Sequence, residues 1–303
     1  HPIKINLLMS SIEDSRRGLF TANKEIISLV AGMAFTYAMG AIIDRFKAVG
    51  NIRAAFVLCA VVIFTLTVLH TVTMAFSKEK PSNETPQKNL LKEKISVLSD
   101  KNVIRVAIVF VIWNIASYST IPFYGTYQIK ELGFSLTFVS MLQIISSFGR
   151  LIFSRFMGSL ADKKSFAVML RVCFLIMCIG FAFGVFCVPQ NGRVFFAAYS
   201  ILHAIAMAGI NSALINLVFD NVVSEKRADS LAISQALSGV AGFTATLCVS
   251  PVVERIQQNG NRLFGVHIYA QQVTSFIALT FTVLAIVYVS IFIIGKRVKS
   301  NDA

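Results

Sequence analysis

The chain has 303 residues, of which 55% are hydrophobic and 14% are charged, and its mean hydropathy is +0.70. These values exclude a water-soluble domain of this size and indicate that lipid is the solvent. The formal net charge is +13. The Lys and Arg residues fall between the apolar runs, which argues against nucleic-acid binding and for contact with anionic headgroups of a lipid bilayer.

Eight apolar runs are long enough to cross a bilayer, for which a helix needs about 20 residues. Their hydrophobicity is continuous and not alternating, which excludes the strands of an outer-membrane barrel. The sequence therefore predicts an all-α polytopic transmembrane bundle of eight helices. The runs cover approximately residues 26–43, 53–76, 103–125, 135–157, 166–188, 193–219, 230–253 and 268–294.

The basic residues are distributed unequally between the two predicted sides of the membrane. Counting every second loop from the N-terminal tail places 21 of the 28 Lys and Arg residues on one side, including those from Arg150 to Arg171. The positive-inside rule makes that side cytoplasmic. We therefore predict a multi-pass protein of the cell membrane with a cytoplasmic C-terminus.

An internal repeat relates the first apolar run to the seventh. Residues 15–46 align without a gap with residues 225–256, with eight identities in 32 positions. Both segments run outward from the cytoplasm, so the repeat is parallel. Because the four runs within 103–219 have no counterpart before residue 26, we predict an incomplete N-terminal half at 1–76 and a complete six-helix half at 103–303.

A charged segment, residues 77–102, separates these two predicted halves. It contains two prolines and many Lys and Glu residues. Its apolar residues Leu90, Leu91, Ile95 and Leu98 are spaced as in a short amphipathic helix on a membrane surface. The segment is predicted to be a cytoplasmic linker.

The sequence GSLADK at 158–163 lies between the fourth and fifth runs, on the predicted cytoplasmic side. Together with two parallel halves joined by a charged loop, it resembles the G-x-L-a-D-r signature of the major facilitator superfamily. The chain departs from the family pattern after this point, with Lys164 and Ser165 in place of a glycine and basic residues. The resemblance implies a secondary transporter that moves a small solute by alternating access, with this chain covering helices five to twelve.

The resemblance also implies a contact between this loop and the start of the fifth helix, near Arg17 and Gly18. Gly158 would let two helices approach closely around the turn. Asp162 would cap the fifth helix and pair with Arg17, which would stabilise one access state. The alternative is a solvated helix cap without a switching role.

In this family the seventh and tenth helices line the central cavity, and here these are the runs 103–125 and 193–219. Polar side chains deep in a spanning helix normally face protein or water. They are therefore candidates for substrate binding, although interhelical hydrogen bonding is a structural alternative for each. The candidates are Asn114, Tyr118, His203 and Asn211, with Trp113, Ser117 and Gln143 as further members.

The sequence favours a transporter over an enzyme. It has no nucleotide-binding G-x-x-x-x-G-K-[ST] motif, no metal-ligand cluster and no catalytic set at membrane depth, so we predict neither a cofactor nor a metal. No Asp or Glu lies at the centre of any run after residue 103. If transport is coupled to an ion, we expect a proton or sodium. We expect a monomer that binds a small-molecule substrate. The alternative is a transport-inactive membrane sensor or scaffold with the same fold.

Overall fold

The computed structural model of the chain describes residues 17–75, 99–223, 226–263 and 265–294. Nine α-helical segments account for almost all of this part. Their bounds are Arg17–Ala48 (α1), Ile52–Ala75 (α2), Lys101–Tyr118 (α3), Ile121–Thr126 (α4), Leu136–Lys163 (α5), Phe166–Val185 (α6), Gly192–Asn221 (α7), Arg227–Gln258 (α8) and Ala270–Tyr288 (α9).

Two π-helical segments, Tyr127–Glu131 and Val289–Ile294, continue α4 and α9. Since α3, α4 and the first π-helical segment form one span, the described part has the eight helices that hydropathy predicts. Seven of them are long and apolar enough to cross a membrane. The chain is therefore an all-α, multi-pass membrane protein.

The span that begins with α3 is interrupted where the sequence places a proline. The helix ends at Tyr118, a turn follows, and α4 restarts with Pro122 in its first turn. A proline at this position loses no hydrogen bond, because the first backbone N–H groups of a helix have no intrahelical partner. In α8, by contrast, the helix continues through Pro251.

The chain divides into two compact units, His1–Lys88 with Ser135–Ile144, and Asn89–Phe134 with Ile145–Ala303. In the described part, the first unit contains α1, α2 and the first turns of α5. The predicted linker at 77–102 lies almost wholly outside the described residues, so the division into halves at this point stays a prediction.

The second unit has its core around α6. Phe174, Met177 and Phe181 of this helix are fully buried. At one end of the unit, Val253 and Ile256 of α8 pack with Ala270 of α9. A short β-hairpin joins these two helices. Its strands, Arg262–Leu263 (β1) and Val266–His267 (β2), have two residues each.

The repeat predicted from the sequence relates α1 to α8, and the two helices have the same length. Each contains 32 residues. The first residues, Arg17 and Arg227, are 210 positions apart, and so are the last residues, Ala48 and Gln258. This agreement in length and position supports the predicted repeat.

Candidate functional site

Helix α5 has one face that packs against its neighbours and a second face that is exposed and apolar. Its packed face includes the buried Met157 and also Ser146, whose Oγ donates a hydrogen bond to the backbone oxygen of Ser200 in α7 at 3.3 Å. A second face consists of exposed large apolar side chains, as expected for contact with acyl chains. These are Met141, Ile145, Phe148, Ile152 and Phe156.

A third face of α5 is polar along its length and lies opposite the apolar face. It carries Gln143, Ser147, Arg150 and Ser154, which follow one another at intervals of four, three and four residues. Such intervals keep side chains on one side of a helix with 3.6 residues per turn. Polar side chains of a spanning helix face protein or water, so this face is the candidate wall of a hydrated path.

Arg150 lies at the middle of the 28-residue helix α5 and is exposed in the chain. The helix is about 42 Å long at about 1.5 Å per residue, so Arg150 is far from both of its ends. This corrects the interpretation of all Lys and Arg residues as loop residues. Arg155 also lies within α5, closer to its C-terminal end.

The predicted site residue His203 lies on the part of α7 that packs against α5 beside Arg150. A Cβ added at Gly149 would lie 3.9 Å from Cβ of Ala204, and these two residues adjoin Arg150 and His203 in the sequence. The imidazole is partly buried and stacks near Tyr199, with 5.6 Å between the ring centroids. Its Nε2 is buried and has no hydrogen-bond partner among the described residues. A guanidinium and an imidazole with an unused nitrogen thus come from two helices to the same region.

The candidates on α3 make contacts within the protein. Asn114 is partly buried, and its Nδ2 donates to the backbone oxygen of Phe110 at 3.0 Å. Ser117 is buried, and Trp113 is buried against Phe174 of α6, with ring centroids 5.3 Å apart. Trp113 therefore has a packing contact, whereas Asn114 retains an exposed fraction.

Tyr118 packs against α8 at a glycine. A Cβ added at Gly242 would lie 2.9 Å from Cδ2 of Tyr118, so a larger residue at 242 would force the tyrosine ring to move. The hydroxyl of Thr246 donates to the backbone oxygen of Tyr118 at 3.0 Å. Tyr118 nevertheless remains 45% exposed. Asn211 of α7 and Gln143 of α5 are exposed.

The predicted gating residues lie at the ends of α1 and α5. Asp162 is exposed in the last turn of α5. At Gly158 an added Cβ would meet no atom within 4 Å among the described residues. The side chain of Arg17 and the surroundings of Gly18 lie outside the described part. The pairing of Asp162 with Arg17 therefore stays a prediction.

Sequence reasoning missed Arg150 because a charge count assigns every basic residue to a loop. The signal that could have found it is its depth within the apolar run 135–157 and the polar periodicity of that run. Sequence reasoning also missed a buried polar cluster in which the hydroxyls of Tyr124 and Ser275 lie 3.2 Å apart. Nearby, a cavity of about 250 Å³ is lined by residues that include Glu131, Glu254 and Gln271.

The described residues contain no group of three or more His, Cys, Asp or Glu side chains that could hold a metal ion. In the Arg150 region, Arg150 offers hydrogen-bond donors and His203 offers a donor or an acceptor. Such an arrangement has the donors and the acceptor that an anionic or hydrogen-bonding group would need.

Comparison with solved structures shows the same fold in two transporters. A mutant of the nucleoside transporter NupG is 15% identical, with a TM-score of 0.60 over 88% of this chain. A bacterial homologue of the human lysosomal transporter Spinster, in an inward-facing and unoccupied conformation, is 13% identical, with a TM-score of 0.61 over 94% of this chain. The chain spans 66% and 72% of the length of these two proteins.

Among curated proteins, none matches the chain. The sequence profile of the Major Facilitator Superfamily matches residues 1–246, which is most of the chain. This match agrees with the parallel repeat, with the sequence GSLADK at 158–163 and with the fold of the two transporters. The chain therefore belongs to the Major Facilitator Superfamily.

Proposed function

We propose that this protein moves a small organic anion across the cell membrane by alternating access, with Arg150 as the residue that binds the anionic group. Membership of the superfamily supports transport. Arg150 lies at the centre of a spanning helix, on its polar face, and this position supports a negatively charged solute.

A cation at this depth needs compensation. An Arg at the centre of a membrane helix costs about 3 kcal/mol, and such residues therefore pair or line a hydrated path. Every Asp and Glu among the described residues lies near a helix end or in a turn, far from this depth. These residues are Asp44, Asp100, Glu131, Asp162, Asp220, Asp229 and Glu254. A negatively charged solute would supply the missing countercharge.

The guanidinium group favours a particular class of anion. Its planar fork of N–H donors matches a carboxylate, which accepts two parallel hydrogen bonds. The neighbouring His203 has a free ring nitrogen that would bind a second polar group of the solute. A small carboxylate fits these two residues better than a cation does, since Arg150 would repel a cation.

The remaining parts of the proposal concern orientation, coupling and assembly. The bias in basic residues supports a cytoplasmic C-terminus. A proton or sodium gradient would drive the cycle, and one copy of the protein would suffice, because alternating access in this fold uses the two halves of one chain. The competing function is a membrane sensor or scaffold that binds no transported solute.

The test is uptake by the full-length protein in proteoliposomes, with an imposed proton or sodium gradient. Labelled solutes would include a monocarboxylate, a dicarboxylate, an amine and a neutral nucleoside, the last being the class named for one structural neighbour. Variants would be Arg150→Gln and Arg150→Lys. The matched control is Arg155→Gln, which removes the same charge from a different face of the same helix.

We expect carboxylate uptake, with kcat/KM lowered at least about 30-fold in Arg150→Gln, because leaving one partner of a desolvated charge pair alone costs about 2 kcal/mol or more. Arg150→Lys should be intermediate, since it keeps the charge and loses the fork. Arg155→Gln should match the wild type. Uptake of the amine or nucleoside instead, or equal losses in the variants of both arginines, would contradict the anion site. A folded protein without flux under either gradient would support the sensor or scaffold.

A further inference from the structure

Asp44, near the end of α1, makes three hydrogen bonds to the beginning of α5. Its Oδ1 accepts from the backbone nitrogen of Leu136 at 3.0 Å. Its Oδ2 accepts from the backbone nitrogen of Thr137 at 2.7 Å and from the Thr137 hydroxyl at 2.6 Å. Backbone N–H groups in the first turn of a helix have no intrahelical partner. The carboxylate of α1 thus supplies the cap that α5 lacks at these positions.

The cap is completed by Ser135, the residue directly before α5. The Oγ of Ser135 accepts from the backbone nitrogen of Phe138 at 3.1 Å. Ser135 therefore satisfies the third N–H of the helix, and Asp44 satisfies the first two. The positive end of the helix dipole further favours a carboxylate at this place.

Close packing holds the two helices together one turn further along α5. The hydroxyl of Ser140 donates to the backbone oxygen of Thr36 in α1 at 3.1 Å. A Cβ added at Gly40 would lie 2.5 Å from Oγ of Ser140, so α1 and α5 approach closely only because residue 40 is glycine. The first turns of α5 accordingly belong to the same compact unit as α1.

Asp44 is charged at neutral pH. Burial alone would raise its pKa, but hydrogen bonds from Thr137 and Leu136 and the charge of Lys47 outweigh burial and hold the pKa below its usual value of 3.8. Asp44 lies beyond the apolar run 26–43, at the predicted outer end of α1. The hydrogen bonds are therefore charge-assisted, which makes them stronger than bonds between neutral groups.

We propose that the contact between Asp44 and the first turn of α5 is an outer latch, which stabilises the state in which the outer path is closed. Helix α1 belongs to the predicted N-terminal half and α5 to the C-terminal half. In alternating access these halves separate at the outer side when the path opens outward. Opening would then break three hydrogen bonds at once, and the latch biases the protein toward the closed outer side.

The test is a distance measurement by double electron–electron resonance on the full-length protein without substrate. Spin labels would be attached at Val49→Cys and Met141→Cys, both exposed positions, in a background without reactive native cysteines. The variants are Asp44→Asn, which removes the charge, and Thr137→Val, which removes the hydroxyl bond alone. The matched control is Asp100→Asn, because Asp100 caps α3 by accepting from the backbone nitrogen of Asn102 at 2.9 Å.

We expect Asp44→Asn to raise the population with the longer distance, relative to the population with the shorter distance, about tenfold. This change corresponds to about 1.4 kcal/mol. Thr137→Val should give a smaller shift in the same direction, and Asp100→Asn none. Unchanged distances in Asp44→Asn and Thr137→Val, or an equal shift in Asp100→Asn, would overturn the latch. If Asp44→Asn fails to fold, Thr137→Val decides. The latch depends on alternating access but not on the solute, so absence of anion uptake would not affect this result.

Discussion

At the scale of single residues, glycines in α5 and α7 differ in the space around them. An added Cβ at Gly209 would lie 2.6 Å from Sγ of the buried Cys173, whereas at Gly158 it would meet nothing within 4 Å among the described residues. Alanine in a helix interior is about 1 kcal/mol more favourable than glycine. The two positions should therefore respond oppositely to the same substitution.

We predict that Gly209→Ala lowers the melting temperature, because the new methyl group collides with Cys173, and that Gly158→Ala leaves it unchanged or raises it by a few degrees. Thermal unfolding of the purified protein in detergent measures both. Transport tests the family resemblance separately. If the last turns of α5 at Gly158 pack against another helix in a second state, Gly158→Ala will slow uptake while the protein stays stable. Unchanged uptake would contradict that contact.

The sequence predicted some single residues of the candidate site and missed others, for a physical reason. His203 was identifiable because a polar residue deep in an apolar run is unusual. Its neighbour Arg150 was hidden, since the positive-inside rule treats basic residues as loop residues and the run 135–157 ends soon after it. Proximity between residues of two different helices depends on packing, which hydropathy does not encode.

At the scale of the helix, α5 combines a packed, an apolar and a polar face. If the polar face lines a hydrated path, cysteines placed there will react with a small charged methanethiosulfonate reagent. We predict rapid labelling of Ser147→Cys and Ser154→Cys and slow labelling of Phe148→Cys and Ile152→Cys, which face acyl chains. Mass spectrometry of protein labelled in vesicles gives the rates.

The cysteine labelling also connects the helix to the proposed solute. A transported carboxylate should protect Ser147→Cys and Ser154→Cys, and an amine at the same concentration should not. Equal reactivity on both faces of α5 would show that the polar face is not a distinct hydrated surface. The proposed path for an anion to Arg150 would then be contradicted.

Hydropathy predicted the existence of each spanning helix in the described part of the chain, but not where each one ends. The helix predicted at 230–253 is observed as Arg227–Gln258, and the one predicted at 26–43 as Arg17–Ala48. An apolar run ends where lipid ends, whereas a helix continues into water until its last backbone groups find partners. The break before Pro122 has a local cause, because proline constrains the residue before it.

At the scale of the whole molecule, the charge bias predicts which side faces the cytoplasm. We expect an impermeant maleimide to label Asn259→Cys in intact cells and to label Lys164→Cys only after permeabilisation. Both positions are exposed, one beyond the end of α8 and the other after α5. The reverse pattern would place the C-terminus outside and would contradict the positive-inside assignment.

The equal lengths of α1 and α8 agree with the internal repeat that the sequence predicted. Eight identities in 32 positions were enough to align the two helices. Their first residues are 210 positions apart, and so are their last residues. The same alignment pairs Asp44 with Glu254. The contact that Asp44 makes with α5 was not predictable, because it depends on how close α1 approaches another helix and not on either helix alone.

The cap at Asp44 has a further consequence, for timing. Each outward opening would return a carboxylate and two backbone N–H groups to water, and each closing would strip that water away again. The lifetime of the closed outer side would then limit how many solutes cross per second. A weaker contact would speed turnover but would let the path open without cargo, so the strength of this contact would balance speed against leakage.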